Sequence, residues 1–261
     1  DKSIALDTVV PGATSGATRA PYSFLVKLLP YVEQGYIYDQ IDFKNDEAFA
    51  SANNYTLAGK VVPVLTCPSF RGNAASTATD YVPAAGPKPA LTNYKALGAT
   101  TLACLEDSPS VTSTSLSGGT IHPYATYSFN TLKAPTQTAV LVETKEEAYA
   151  AWFDGTTASI PGFYPGAGNV TNDTANPIVG TPALNISSTI TPARAGFLLA
   201  ADFGGTADMK WGPSSEHPGL VNHANGGSEC RSLNNDVDPL VYRALISRRS
   251  EDNGDIGDTF K

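Results

Sequence analysis

The sequence predicts an α+β fold: helices near the N-terminus against an antiparallel β-sheet, with long ordered loops and a short C-terminal helix. Three observations predict it. Apolar residues at positions 24, 25, 28, 29, 32 and 36 recur with a helical period. Thr138-Ala139-Val140-Leu141-Val142-Glu143 is a nearly unbroken apolar run of strand length, which suits a strand buried on both faces. Asp238 and Pro239 supply an N-cap and a first-turn proline for a segment that runs to Arg248-Arg249, two cations placed favourably at a helix C-terminus. Composition agrees: charged residues make up only 16%, while Gly (23) and Pro (19) are plentiful, a balance that favours strands and turns over long helices.

The elements are expected in a single domain spanning residues 1–261. Residues 1–20 read as coil or a short strand with a turn cluster at 11–16. Residues 22–38 form the first helical segment, kinked or restarted at Pro30. A second helix is expected over 46–55, ending near Gly59. Val61 to Thr66 is β-branched and reads as a buried strand closing on Cys67-Pro68-Ser69. After a loop over 70–93 with a weak strand at Tyr81-Val82, residues 92–100 read as strand and turn. Residues 105–124 and 155–195 are loop insertions, rich in small and turn-forming residues. Ala150 to Phe153 is expected to pair with the strand at 138–143, and residues 196–203 and 229–233 are further strands. The tail, 252–261, is acidic.

The net charge of −8 and the absence of any Lys/Arg run beyond Arg248-Arg249 exclude nucleic-acid binding, which needs clustered cations. The acidic balance suits an exported, solvated surface. No run of about 18 apolar residues occurs, so the chain itself holds no membrane span. No signal peptide is visible and it opens at Asp1 without Met, as expected of a chain trimmed either by cloning or by processing. Cys67, Cys104 and Cys230 form no C-x-x-C pair, leaving one disulfide with one free thiol or three buried thiols.

Chemistry-bearing motifs are sparse. No G-x-S-x-G elbow, phosphate loop or dinucleotide fingerprint is present, and nothing selects a carboxylate pair for glycoside hydrolysis. Residues 212–228 stand out as a turn-rich stretch holding His217 and His223. With Glu216 and Glu143 these histidines are a weak metal pattern, and hydrogen bonding within a glycine-rich corner is the expected role. Asp252, Asn253, Asp255 and Asp258 place oxygen ligands at calcium-like spacing, without the terminal Glu of an EF-hand. Calcium is the one cofactor considered; otherwise none is expected.

Several segments then converge. Leu28-Leu29-Pro30-Tyr31-Val32-Glu33-Gln34, Val64-Leu65-Thr66-Cys67-Pro68-Ser69, residues 92–100, Val140 to Glu146, Gly212 to Gly219 and Tyr242 to Arg248 lie in one order. In that order they resemble blocks of the large planctomycete pilin-like family of unknown function, also catalogued as solute-binding protein family ten. The resemblance covers about residues 22–257. It implies a pilin-like head following a prepilin-type signal helix, extracellular or cell-surface placement, and assembly with copies of itself or other pilin-like subunits. Any membrane contact would run through that helix. The family's C-terminal hallmark is His, nine residues, then Asp-Gly. Here His217-Pro218-Gly219 is kept, the following segment is one residue shorter, and Gly226 stands for the Asp. Asn225-Gly226 can replace a turn-shaping Asp, as a type I′ hairpin signal.

The expected function is therefore a non-enzymatic structural subunit of a filament or secretion assembly. The alternative is a carbohydrate- or solute-binding surface protein, its aromatic site drawn from Trp152, Tyr164 and Trp211.

Overall fold

The computed structural model describes residues 22–44, 48–49, 51–78, 81, 87–101, 118–121, 130, 132–155, 157–163, 184–185, 187–190 and 209–248. The expected coil at 1–20, the strand at 196–203, Cys104, Tyr164 and the 252–258 ligand set lie outside them.

The first helical segment breaks where proline predicts. α1 (Phe24–Leu28) is capped by the Ser23 hydroxyl, which accepts from Leu25 N–H. A 3₁₀ turn, Leu29–Val32, starts with Pro30 in its first turn, and α2 (Gly35–Tyr38) follows. The next helix lies later than the sequence suggests: α3 spans Ala52–Ala58, because Ser51 caps it by accepting from Asn54 N–H. Val61 to Thr66 is not a strand. Pro63 opens a 3₁₀ turn over Pro63–Leu65, its fixed φ and missing N–H outweighing the β-branched neighbours.

The sheet comprises β1 (Tyr94–Thr101), β2 (Ala139–Glu143), β3 (Ser159–Phe163), β6 (Leu220–Asn225) and β7 (Cys230–Asn234) in the order β3-β1-β2-β6-β7. It is mostly antiparallel, but β1 and β3 run parallel, which the purely antiparallel expectation misses. β4 (Ser187–Ile190) and β5 (Met209–Trp211) form a separate two-stranded ribbon. Ala151 bridges Leu91 rather than β2. α4 (Pro239–Ile246) begins as predicted, with Asp238 accepting from Leu240 and Val241 N–H.

The two faces of the sheet carry two cores, and a bulge between Ala139 and Leu141 resets the alternation along β2. One face carries Ala96 and Val140, covered by Phe24, Leu25, Leu29, Ile37, Leu57, Val62 and Leu65 of the N-terminal helical layer with Trp152 and Phe153. The other carries Leu97, Val142, Ile160, Phe163 and Val221, covered by Tyr242, Leu245 and Ile246 of α4. Gly162 lets α4 approach β3 this closely: a Cβ there would fall 2.1 Å from Ile246 Cδ1. The protein is thus an α+β sheet clad by helices on both faces.

Candidate metal centre

Three segments far apart in sequence meet at the end of β2. Cys67 follows the Pro63–Leu65 turn, Glu143 ends β2, and His217 lies in the loop before β6. Cys67 Sγ, Glu143 Oε1 and His217 Nε2 all lie within 4.8 Å of one another. His217 Nε2 is 3.8 Å from Cys67 Sγ and 3.8 Å from Glu143 Oε1.

The backbone around these donors is tightly pinned. The buried Asn93 side chain accepts from Cys67 N–H at 2.9 Å and donates to the Thr144 carbonyl at 3.0 Å, tying the Cys67 turn to the end of β2. The His217 loop is zipped to the segment after β2. Ser214 N–H donates to the Glu143 carbonyl, Lys145 N–H to Ser214 Oγ, and Thr144 Oγ1 to the Gly212 carbonyl. Asn185 stitches the same loop from outside, accepting from Ser215 N–H and donating to the Leu220 carbonyl. Glu143 turns its other oxygen, Oε2, to Asn222 N–H at 3.3 Å, which orients the carboxylate. The His217 side chain is 37% exposed and that of Glu143 6%, so the corner is open on one side.

The arrangement is not a nucleophile-base-acid triad. In a triad the imidazole uses one nitrogen for the nucleophile and the other for the carboxylate. Here the same nitrogen, Nε2, faces both partners. Burial pushes the Cys67 thiol above its ordinary value, and Glu143 adds to this against backbone N–H groups of Ser69 and Phe70. A protonated thiol is a poor nucleophile. Tyr94 stands at the same corner: burial raises its pKa first, and Cys67, Glu143 and Cys230 raise it further.

His223 does not join His217. It pairs with Val142 across β2 and β6, so it points to the α4 face, while Glu143, one residue on, points to the opposite face. There His223 Nδ1 lies 3.0 Å from the Val221 carbonyl and Nε2 3.1 Å from Tyr242 Oη, with the ring buried. Nor does the His217 ring brace the corner through backbone groups as expected. That bracing comes from the main chain, His217 N–H donating to Ser215 Oγ and its carbonyl accepting from Leu220 N–H. Glu216, one of the four residues of the weak metal pattern, is exposed and stands outside the cluster.

Pro218-Gly219 forms the turn into β6, with Gly219 at φ 72°. Asn225 and Gly226 do shape the β6–β7 hairpin, but not as a type I′ turn, since neither has positive φ. Ser228 N–H donates to the Asn225 carbonyl, Ser228 itself takes the left-handed φ of 67°, and Asn225 Oδ1 accepts from Gly227 and Glu229 N–H. This is a type I turn closed by a left-handed residue, with an Asn side chain holding it.

Cys67 and Cys230 carry free thiols rather than a mutual disulfide. Of the three aromatics of the alternative binding site, Tyr164 lies outside the described residues and Trp152 is withdrawn into the core. Trp152 is fully buried and donates Nε1–H to the Lys60 carbonyl, and Lys145 Nζ sits over the Trp211 ring at 4.0 Å.

A second polar group lies wholly inside. The Glu146 carboxylate accepts four backbone N–H groups, from Ala148, Tyr149, Lys210 and Trp211, and so fastens β5 to the turn after β2. Lys95, equally buried, donates to the Tyr149 carbonyl; burial lowers its pKa to about 8, opposed by Glu146 and Asp154.

Among described residues, no helix is long and apolar enough to cross a membrane. No curated protein and no solved structure matches the chain. The family model described as Protein of unknown function (DUF1559), named SBP_bac_10, matches residues 8–240, so the chain belongs to that family, the one its ordered sequence blocks resemble.

Proposed function

We propose that the chain is the exported, non-enzymatic head of a pilin-like or pseudopilin-like subunit. It assembles with copies of itself or with related subunits in a filament or secretion assembly at the cell surface. Its membrane contact belongs to an N-terminal helix not contained in these 261 residues. The observation that carries this reading is where apolar surface is left uncovered. Tyr31, Tyr36, Phe43, Val61 and Val64 are all 43% exposed or more, and all lie on the N-terminal helical layer; among described residues only Leu240 is a comparable exposed apolar side chain elsewhere. Exposed aromatics and valines on one layer are the kind of side chain that protein interfaces cover. That layer is also the part of the head nearest in sequence to the expected signal helix, so the same face would meet neighbouring subunits. Shearing and fractionating cells that make the full-length gene product tests the reading. The protein is expected in the sheared surface fraction or inner membrane, with labelled polymers in electron micrographs. Recovery as a cytoplasmic monomer would contradict it.

A further inference from the structure

We propose that Cys67, Glu143 and His217 bind one borderline-soft divalent cation, zinc, through Sγ, Oε1 and Nε2, with solvent in the fourth position. The site is independent of the assembly role above.

Geometry carries the inference. Zinc bonds of about 2.3 Å to sulfur and about 2.0 to 2.2 Å to nitrogen and oxygen set tetrahedral ligands about 3.4 to 3.6 Å apart. The two Nε2 distances, 3.8 Å each, lie a few tenths beyond that. His217, with its side chain over a third exposed, has the freedom to close the difference. The three donors form a triangle, all within 4.8 Å of one another, with one imidazole nitrogen 3.8 Å from both a thiol and a carboxylate.

Ligand chemistry selects the ion. Thiolate with imidazole and a single carboxylate suits zinc or cobalt and disfavours calcium or magnesium, which take oxygen ligands. The surroundings are those of a built site. Glu143 Oε2 is oriented by Asn222 N–H, leaving Oε1 for the ion, and Asn93 fixes the backbone of Cys67 relative to Thr144. Three protein ligands and an open side leave a coordination position for solvent, unlike a closed four-ligand structural site. On binding, the Cys67 thiol proton is released to solvent and the sulfur lone pair forms the bond to the metal; no oxidant or reductant is involved.

Zinc chloride is titrated by calorimetry into the tag-free chain kept reduced by a phosphine, and cobalt chloride is followed by absorbance in parallel. The proposal expects one ion per chain and a sulfur-to-cobalt charge-transfer band. Cys67→Ser should remove the band, and Cys67→Ser, Glu143→Gln and His217→Ala should each weaken zinc by about 100-fold. Cys230→Ser should change neither reading. Circular dichroism establishes that each variant is folded, and the near-isosteric Cys67→Ser and Glu143→Gln guard against loss through unfolding. No saturable zinc binding by the wild-type chain would overturn the proposal. So would binding that survives Cys67→Ser and His217→Ala, or a cobalt band that follows Cys230.

Discussion

Ser228 holds a backbone conformation that glycine adopts without steric cost and that costs other L-residues about 1 kcal/mol. It is held there by the Asn225 turn, whose side chain binds two amides of the loop. Ser228→Gly should therefore raise stability by about 1 kcal/mol, seen as a rise in melting temperature of about 2 to 4 °C. Its side chain lies at an exposed turn, so little packing is lost. His223 makes the opposite kind of demand. Burial lowers its pKa from 6.5 to about 4, so the native ring is neutral where the unfolded ring already binds a proton. Between about pH 6.5 and about pH 4 the unfolded state holds more protons, and stability falls as the solution is acidified through that window. The loss from this one group should reach a few kcal/mol at its lower end. Urea denaturation at pH 7 and pH 4.5 checks it: His223→Gln should show a visibly shallower pH dependence than wild type, and equal slopes would refute the assignment. Residue identity at the corner was partly legible. Glu143 and His217 stood out in the sequence as a weak metal pattern, whereas Cys67 read as a disulfide partner or a plain thiol, because a linear chain does not say that three segments end at one place.

At the scale of elements, the legible ones carry their signal locally. α4 announces itself by Asp238 and Pro239, and β2 by an apolar run whose two cores both need it. β3 hides, because Ser159-Ile160-Pro161-Gly162-Phe163 holds two residues that usually argue against a strand. Pro161 is tolerated since β3 is an edge of the sheet, and Gly162 is required by the approach of Tyr242 and Ile246. β6 was obscured by the turn formers around it, although Val221 and His223 face inward with strand alternation. The parallel partnership of β1 and β3 depends on a distant crossover and has no local signature. Glu146 shows how such distant pieces are fastened: one buried carboxylate satisfies four amides drawn from two segments. Glu146→Ala should cost about 3 kcal/mol or more, because it leaves those buried N–H groups without their acceptor. Hydrogen exchange should show β5 losing protection first; uniform protection would place the fastening elsewhere.

The whole molecule divides its labour between faces. Helices clad both sides of the sheet, Cys67, Glu143 and His217 gather at the end of β2, and among the described residues most exposed large apolar side chains lie on the N-terminal layer. Tyr36 illustrates the last point: it is 59% exposed, and its ring meets Lys60 Nζ at 5.9 Å. Family membership gives no activity, so the account rests on whether this layer is covered in the cell. A photo-crosslinking amino acid at position 36 of the full-length protein, irradiated in living cells, asks this directly. Adducts at multiples of the subunit mass, or with a second pilin-like subunit, are the predicted result. A surface-located protein that yields no protein adduct from position 36 would contradict the account.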